Sequence, residues 1–98
     1  MSESLRRSKE EILFGILKSC SSEKLTINQL MICQNLSYRQ LKSYLEQLVR
    51  SSLVTIEMEE KRKLVGTTQD GLNALNRYRG AISILRGHAR ENSHNIVA

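Results

Sequence analysis

At 98 residues, with 40% hydrophobic and 26% charged positions, the chain has the length of one domain and the composition of a folded protein rather than a disordered one. Its longest apolar runs, 12–17 and 81–85, fall far short of the roughly 20 residues that cross a bilayer, and the polar 1–11 segment has no apolar h-region, so neither a membrane partner nor export from the cytoplasm is expected. Fifteen Lys and Arg against ten Asp and Glu leave a formal charge of +5, which points to an anionic partner only if the cations gather on one surface.

The first helix is expected from Ser4 or Ser8 to Cys20. Ser8 and Glu11 have capping-box spacing, and Leu5, Ile12, Leu13, Ile16, Leu17 and Cys20 recur on one side. A polar loop, 19–24, leads to Leu25 and a second box, Thr26 with Gln29, which opens a short helix carrying Leu30, Met31 and Cys33 and ending near Asn35. A third box, Ser37 with Gln40, starts a helix whose Leu41, Leu45, Leu48 and Val49 stand at helical spacing. Two amphipathic helices so tightly joined make a helix-turn-helix arrangement, with the polar face of the second left outside the core.

After Ser51 and Ser52 the period changes. Leu53, Val54, Thr55 and Ile56 are strand formers, 58–62 is charged, and Lys63, Leu64 and Val65 resume the pattern. A two-stranded hairpin is expected, with no Asn-Gly or Asp-Gly to fix its turn. The last helix begins at Thr67 or Thr68, with Asp70 near its positive end, and runs through Leu72. Beyond it Leu75, Tyr78, Ile82, Leu85 and Ala89 repeat at three, four, three and four, the spacing of a coiled-coil seam. Leu75, Tyr78, Ile82 and Leu85 are therefore expected to join two copies of the chain, with a place for Leu72 and Leu75 in the domain core as the alternative, although Gly80 and Gly87 each cost roughly 1 kcal/mol of helix propensity. The expected organisation is a core domain over 1–67, a dimerisation helix over 68–91 and a flexible tail over 92–98.

Cys20 and Cys33 belong to no zinc or redox spacing and are expected as small hydrophobes on apolar helix faces. His88 and His94 stand near the tail without a carboxylate or cysteine arranged beside them. There is no Ser-His-Asp grouping, glycine-rich phosphate loop or paired carboxylates, so neither an enzyme nor a metal or other cofactor is expected. No convergent polar set marks a small-molecule pocket.

The order helix, helix-turn-helix, hairpin, helix is that of a winged helix-turn-helix, an α+β fold with a three-helix core and a hairpin wing. Asn35-Leu36-Ser37-Tyr38, running into Arg39-Gln40-Leu41-Lys42-Ser43-Tyr44-Leu45, resembles the turn and recognition helix of the small archaeal winged-helix DNA-binding proteins of about ten kilodaltons. Thr67-Thr68-Gln69-Asp70-Gly71-Leu72-Asn73-Ala74-Leu75 is similar to their Leu-Thr-x-x-Gly-x-x-x-Leu, with Thr67 in place of leucine. The resemblance spans 11–85 and implies a nucleoid-associated protein, a transcription regulator or chromatin component, that binds double-stranded DNA as a homodimer.

On that reading Arg39 and Lys42, in the first half of the recognition helix, reach base edges. Ser37, Tyr38, Ser43 and Arg50 accompany them, while Lys61, Arg62 and Lys63 at the wing hold phosphates. Glu57, Glu59 and Glu60 offset the wing's charge, and Arg6, Arg7 and Lys9 form a positive N-terminal patch. Capping by Ser37, and packing of Tyr38 and Tyr44 at the helix edge, would also explain those residues. The competing reading is a winged helix that turns its recognition face or wing to another protein.

Overall fold

The computed structural model describes residues 7–97, and the side chains at 83 and 85–97 are outside the described set. Three capping boxes set the first three helix starts. Ser8, Thr26 and Ser37 precede α1 (Lys9–Ser19), α2 (Ile27–Gln34) and α3 (Tyr38–Arg50). Each accepts a hydrogen bond from the backbone N–H three residues on, and Glu11, Gln29 and Gln40 accept in return from the cap's own N–H. Such a cap contributes about 1 kcal/mol. Between α2 and α3, Asn35 closes α2 in the left-handed region (φ 56°), and the Leu36 N–H reaches back 3.0 Å to the Met31 carbonyl. The chain thereby turns from one helix into the next within 35–37.

The remaining elements are β1 (Leu25–Thr26), β2 (Val54–Glu59), β3 (Arg62–Thr67) and α4 (Gln69–Val97). The sheet is antiparallel in the order β1-β3-β2, so the expected two-stranded hairpin gains a third strand in which Leu25 pairs with Val65. Two residues are too few to display an alternation, which is why the sequence reads β1 as the end of a loop. Glu59 pairs with Arg62 across a two-residue turn, and both turn residues, Glu60 (φ 52°) and Lys61 (φ 66°), take positive φ. That is the arrangement of a type I′ hairpin, here built without its favoured Asn-Gly.

The core is aliphatic, as the scarcity of aromatics predicts. Ile12, Ile16 and Leu17 of α1 and its C-cap Cys20 meet Leu30, Leu36 and the inward row of α3 (Leu41, Leu45, Leu48), and Val54 and Val65 close the sheet side. Leu75 joins them at 3% exposed, the core alternative to its expected place in the seam. Tyr78 is half-buried with its ring stacked on Phe14, centroids 4.1 Å apart and planes 4° from parallel. The reason is general: an apolar stripe at three-four spacing serves a helix packed on its own domain as well as one packed on a second copy. Ile82 is half-buried. The side chains of Leu85, His88, Ala89 and His94, and residues Leu5 and Arg6, lie outside the described residues.

The Thr67 to Leu75 stretch has a structural account. The Thr67 hydroxyl donates to the Leu17 carbonyl (2.8 Å) and that of Thr68 to the Ser52 carbonyl (2.7 Å), tying the end of β3 to the ends of α1 and α3. The Thr68 oxygen also accepts from the Gly71 N–H at 3.0 Å, capping α4. At Gly71 a Cβ would stand 2.2 Å from the Leu53 carbonyl oxygen, so the helix meets the chain there as only glycine allows.

The two cysteines differ. Cys20 is buried and burial pushes its thiol up to about 12, whereas Cys33 is exposed, against the expectation that both lie on apolar faces. An eight-residue helix with Leu30 and Met31 inward leaves Cys33 on its outer side.

Candidate nucleic-acid interface

With the inward row of α3 fixed by Leu41, Leu45 and Leu48, the helical period places Arg39, Ser43, Glu46 and Arg50 along the opposite, outward side. All four are exposed. A second stripe, Tyr38, Lys42 and Val49, lies a quarter-turn round, toward the sheet. Arg39 and Lys42, expected to act together, thus belong to different stripes. Val49, expected inward with the leucines, is 43% exposed because it stands at the margin of the apolar arc.

The β2-β3 hairpin, the wing, separates its charges by face. Ile56, Met58 and Lys63 share the face of Val54 and Val65, since Ile56 pairs with Val65 and Met58 with Lys63. Glu57 points the other way and accepts from the Lys24 ammonium, and it holds that lysine above its usual range, chiefly through this hydrogen bond. Part of the acidity that should cancel the wing's cations is therefore neutralised on the far side. Counting Lys24, α3 and the wing together gives seven cations (Lys24, Arg39, Lys42, Arg50, Lys61, Arg62, Lys63) against four carboxylates (Glu46, Glu57, Glu59, Glu60). Lys24 with Glu57 is the one ion pair within 4 Å among the described residues, so the other six cations are free to meet an anion.

Between α3 and the wing runs a groove of about 890 Å³. It brings together Tyr38, Lys42, Arg50, Arg62 and Lys63 of the expected site, while Ser37, Arg39, Ser43 and Lys61 lie outside its lining. Lys61 is at the hairpin tip, and the Ser37 oxygen is engaged as a helix cap. Ile27, Val49 and Ile56 line the groove too, a set that sequence reasoning missed because three separate segments supply it. The alternation Val54, Ile56, Met58 along β2 was the available signal, for it puts an isoleucine and a methionine on the core face past the point where the core ends.

Of the N-terminal cations, Arg7 is engaged within the domain. The Arg7 guanidinium donates to the Gln34 side-chain oxygen at 2.8 Å and to the Gln34 carbonyl, and the Gln34 amide donates in turn to the Gly15 carbonyl (3.2 Å) and the Ser19 hydroxyl (2.8 Å). Arg7 fastens the chain ahead of α1 to the end of α2. Lys9 is exposed and Arg6 lies outside the described residues.

A family model described as winged helix-turn-helix matches residues 6–86. Among solved structures, Sso10a-2, a DNA-binding protein from Sulfolobus solfataricus, is 26% identical with a TM-score of 0.74, over 94% of this chain and 98% of that one. Two others share the fold at lower identity. The transcriptional regulator BldR, also from Sulfolobus solfataricus, is 18% identical (TM-score 0.68, 89% and 72% of the two chains). The MepR-DNA complex of Staphylococcus aureus is 15% identical (TM-score 0.70, 92% and 75%). No curated protein matches the sequence. Among the described residues no helix is long and apolar enough to cross a membrane.

Proposed function

This chain belongs to the winged helix-turn-helix family, and from that premise we propose that it is a non-enzymatic, double-stranded DNA-binding regulator or chromatin protein that works as a homodimer. The observation that carries the reading is the free charge: six cations on α3 and the wing have no carboxylate within 4 Å among the described residues, and four of them, Lys42, Arg50, Arg62 and Lys63, line one groove. Arg39 leads the outward stripe in the first turn of α3, the position from which a recognition helix reaches base edges, and an arginine there can pair bidentately with guanine. Lys61, Arg62 and Lys63 hold phosphates beside it. The likeness to the DNA-binding protein Sso10a-2, matched along nearly its whole length, supports the same assignment.

Dimerisation is assigned to α4 beyond Tyr78. Leu75 and Tyr78 are used within the chain, and Ile82, half-buried, continues their side of the helix. In this division 1–67 holds the DNA-binding unit, and the first turns of α4 are part of its core.

Titrations of fluorescent duplexes with Arg39→Ala and Arg62→Ala test the assignment. Arg39→Ala should weaken a preferred sequence by about 1–3 kcal/mol and random DNA far less. Arg62→Ala should weaken both alike and lower the salt slope by about 0.9. Unchanged binding in both variants contradicts the reading and favours a protein partner for this face.

A further inference from the structure

Among the described residues, three of the six exposed large apolar side chains share one groove, and Ile32, Met58 and Ile84 lie outside its lining. Val49 (43% exposed), Ile56 (41%) and Tyr38 (52%) gather with Ile27 in the groove between α3 and the wing. The phosphate contacts assigned to the wing need cations and hydrogen-bond donors, which these aliphatic side chains do not supply. Above this apolar floor stand Lys42, Arg50, Arg62 and Lys63, with Glu46 as the one carboxylate in the lining. An apolar floor under a cationic rim complements a molecule with an apolar body and an anionic head. The volume, about 890 Å³, is within the roughly 300–1,000 Å³ of small-molecule sites. The thirteen lining residues fall short of the roughly 20–30 that a protein partner covers.

We propose that this groove is a binding site for an amphiphilic carboxylate, whose apolar body lies on Ile27, Val49 and Ile56 and whose carboxylate is held by the cations of the rim. Lys42, Arg50, Arg62 and Lys63 are also among the DNA-contacting groups of the DNA reading, so an occupied groove and a bound duplex exclude one another. That consequence rests on the DNA reading; the site itself does not.

The test is a titration of the ¹⁵N-labelled full chain with decanoate, with anisotropy of a fluorescent random-sequence duplex followed in the same buffer. Saturable shifts are expected at Val49, Ile56 and Lys63, with butyrate and decyltrimethylammonium failing to saturate the same amides. Ile56→Ser and Lys63→Gln, both at exposed positions and checked for intact circular dichroism, should weaken decanoate by about tenfold or more. Decanoate should displace duplex from the wild type and not from Ile56→Ser. The site is overturned if butyrate or decyltrimethylammonium matches decanoate, if the shifts scatter over the surface, or if Ile56→Ser binds as the wild type does. Decanoate and duplex bound together overturn the exclusion. A decanoate site on a protein that binds no duplex keeps the site and overturns the DNA reading, whereas duplex binding without a decanoate site does the reverse.

Discussion

Replacing Gly71 by alanine should unsettle the junction that fixes α4 to the domain. The added Cβ would lie 2.2 Å from the Leu53 carbonyl oxygen and 2.6 Å from Thr67 Cγ2, against backbone on one side and a hydrogen-bonded threonine on the other. Relief requires a shift of about 1 Å, and the Leu53 carbonyl cannot move freely because it accepts from the Thr68 N–H at 3.0 Å. Overpacking of this kind costs about 2 kcal/mol, and loss of that bond adds about 1 kcal/mol. Alanine's better helix propensity returns at most about 1 kcal/mol. The net is a loss of about 2 kcal/mol, and thermal unfolding at fixed protein concentration should show a Tm lower by roughly 10 °C. Gly80→Ala is the internal control, since its Cβ meets nothing within 4 Å and should raise stability by up to about 1 kcal/mol. Equal or greater stability of Gly71→Ala would refute the close-approach argument.

Three other outcomes follow from the same structure. Glu60→Asn with Lys61→Gly should stabilise the wing by about 1 kcal/mol, read as a higher Tm, because both positions hold positive φ that these residues accept more readily. Alkylation at pH 8 should modify Cys33 quickly and Cys20 only on unfolding, for a buried thiol near 12 is ionised in about one molecule in ten thousand; equal labelling of both in the folded protein would contradict this burial. If the proposed α4 dimer forms, Ile82→Asp should give monomers at tens of micromolar in sedimentation, and a wild type already monomeric there would remove α4 as a dimerisation element.

Much of the fold is legible in the sequence because its determinants are local. Each of the three capping boxes needs two residues three apart, and the inward row of α3 repeats within one helix. What the sequence hides is long-range or marginal. Leu25 becomes a strand residue only because β3 is beside it, and the choice between core and seam for Leu75 is made only by α4 folding back onto α1. The candidate site divides the same way. The cations of α3 and the wing are countable in the sequence, but their grouping is not. Arg7 is taken by Gln34, Glu57 is turned away by the strand alternation, and the apolar floor of the groove unites residues from α2, α3 and β2.

The central claim, that the free cations of α3 and the wing bind duplex DNA, is tested most directly by the salt dependence of wild-type binding to random-sequence duplex. If most of Arg39, Lys42, Arg50, Lys61, Arg62 and Lys63 meet phosphates, the slope of log K against log salt should be roughly −3 to −5 per protomer. No saturable binding at about 50 mM salt, or a slope near zero, would contradict the account.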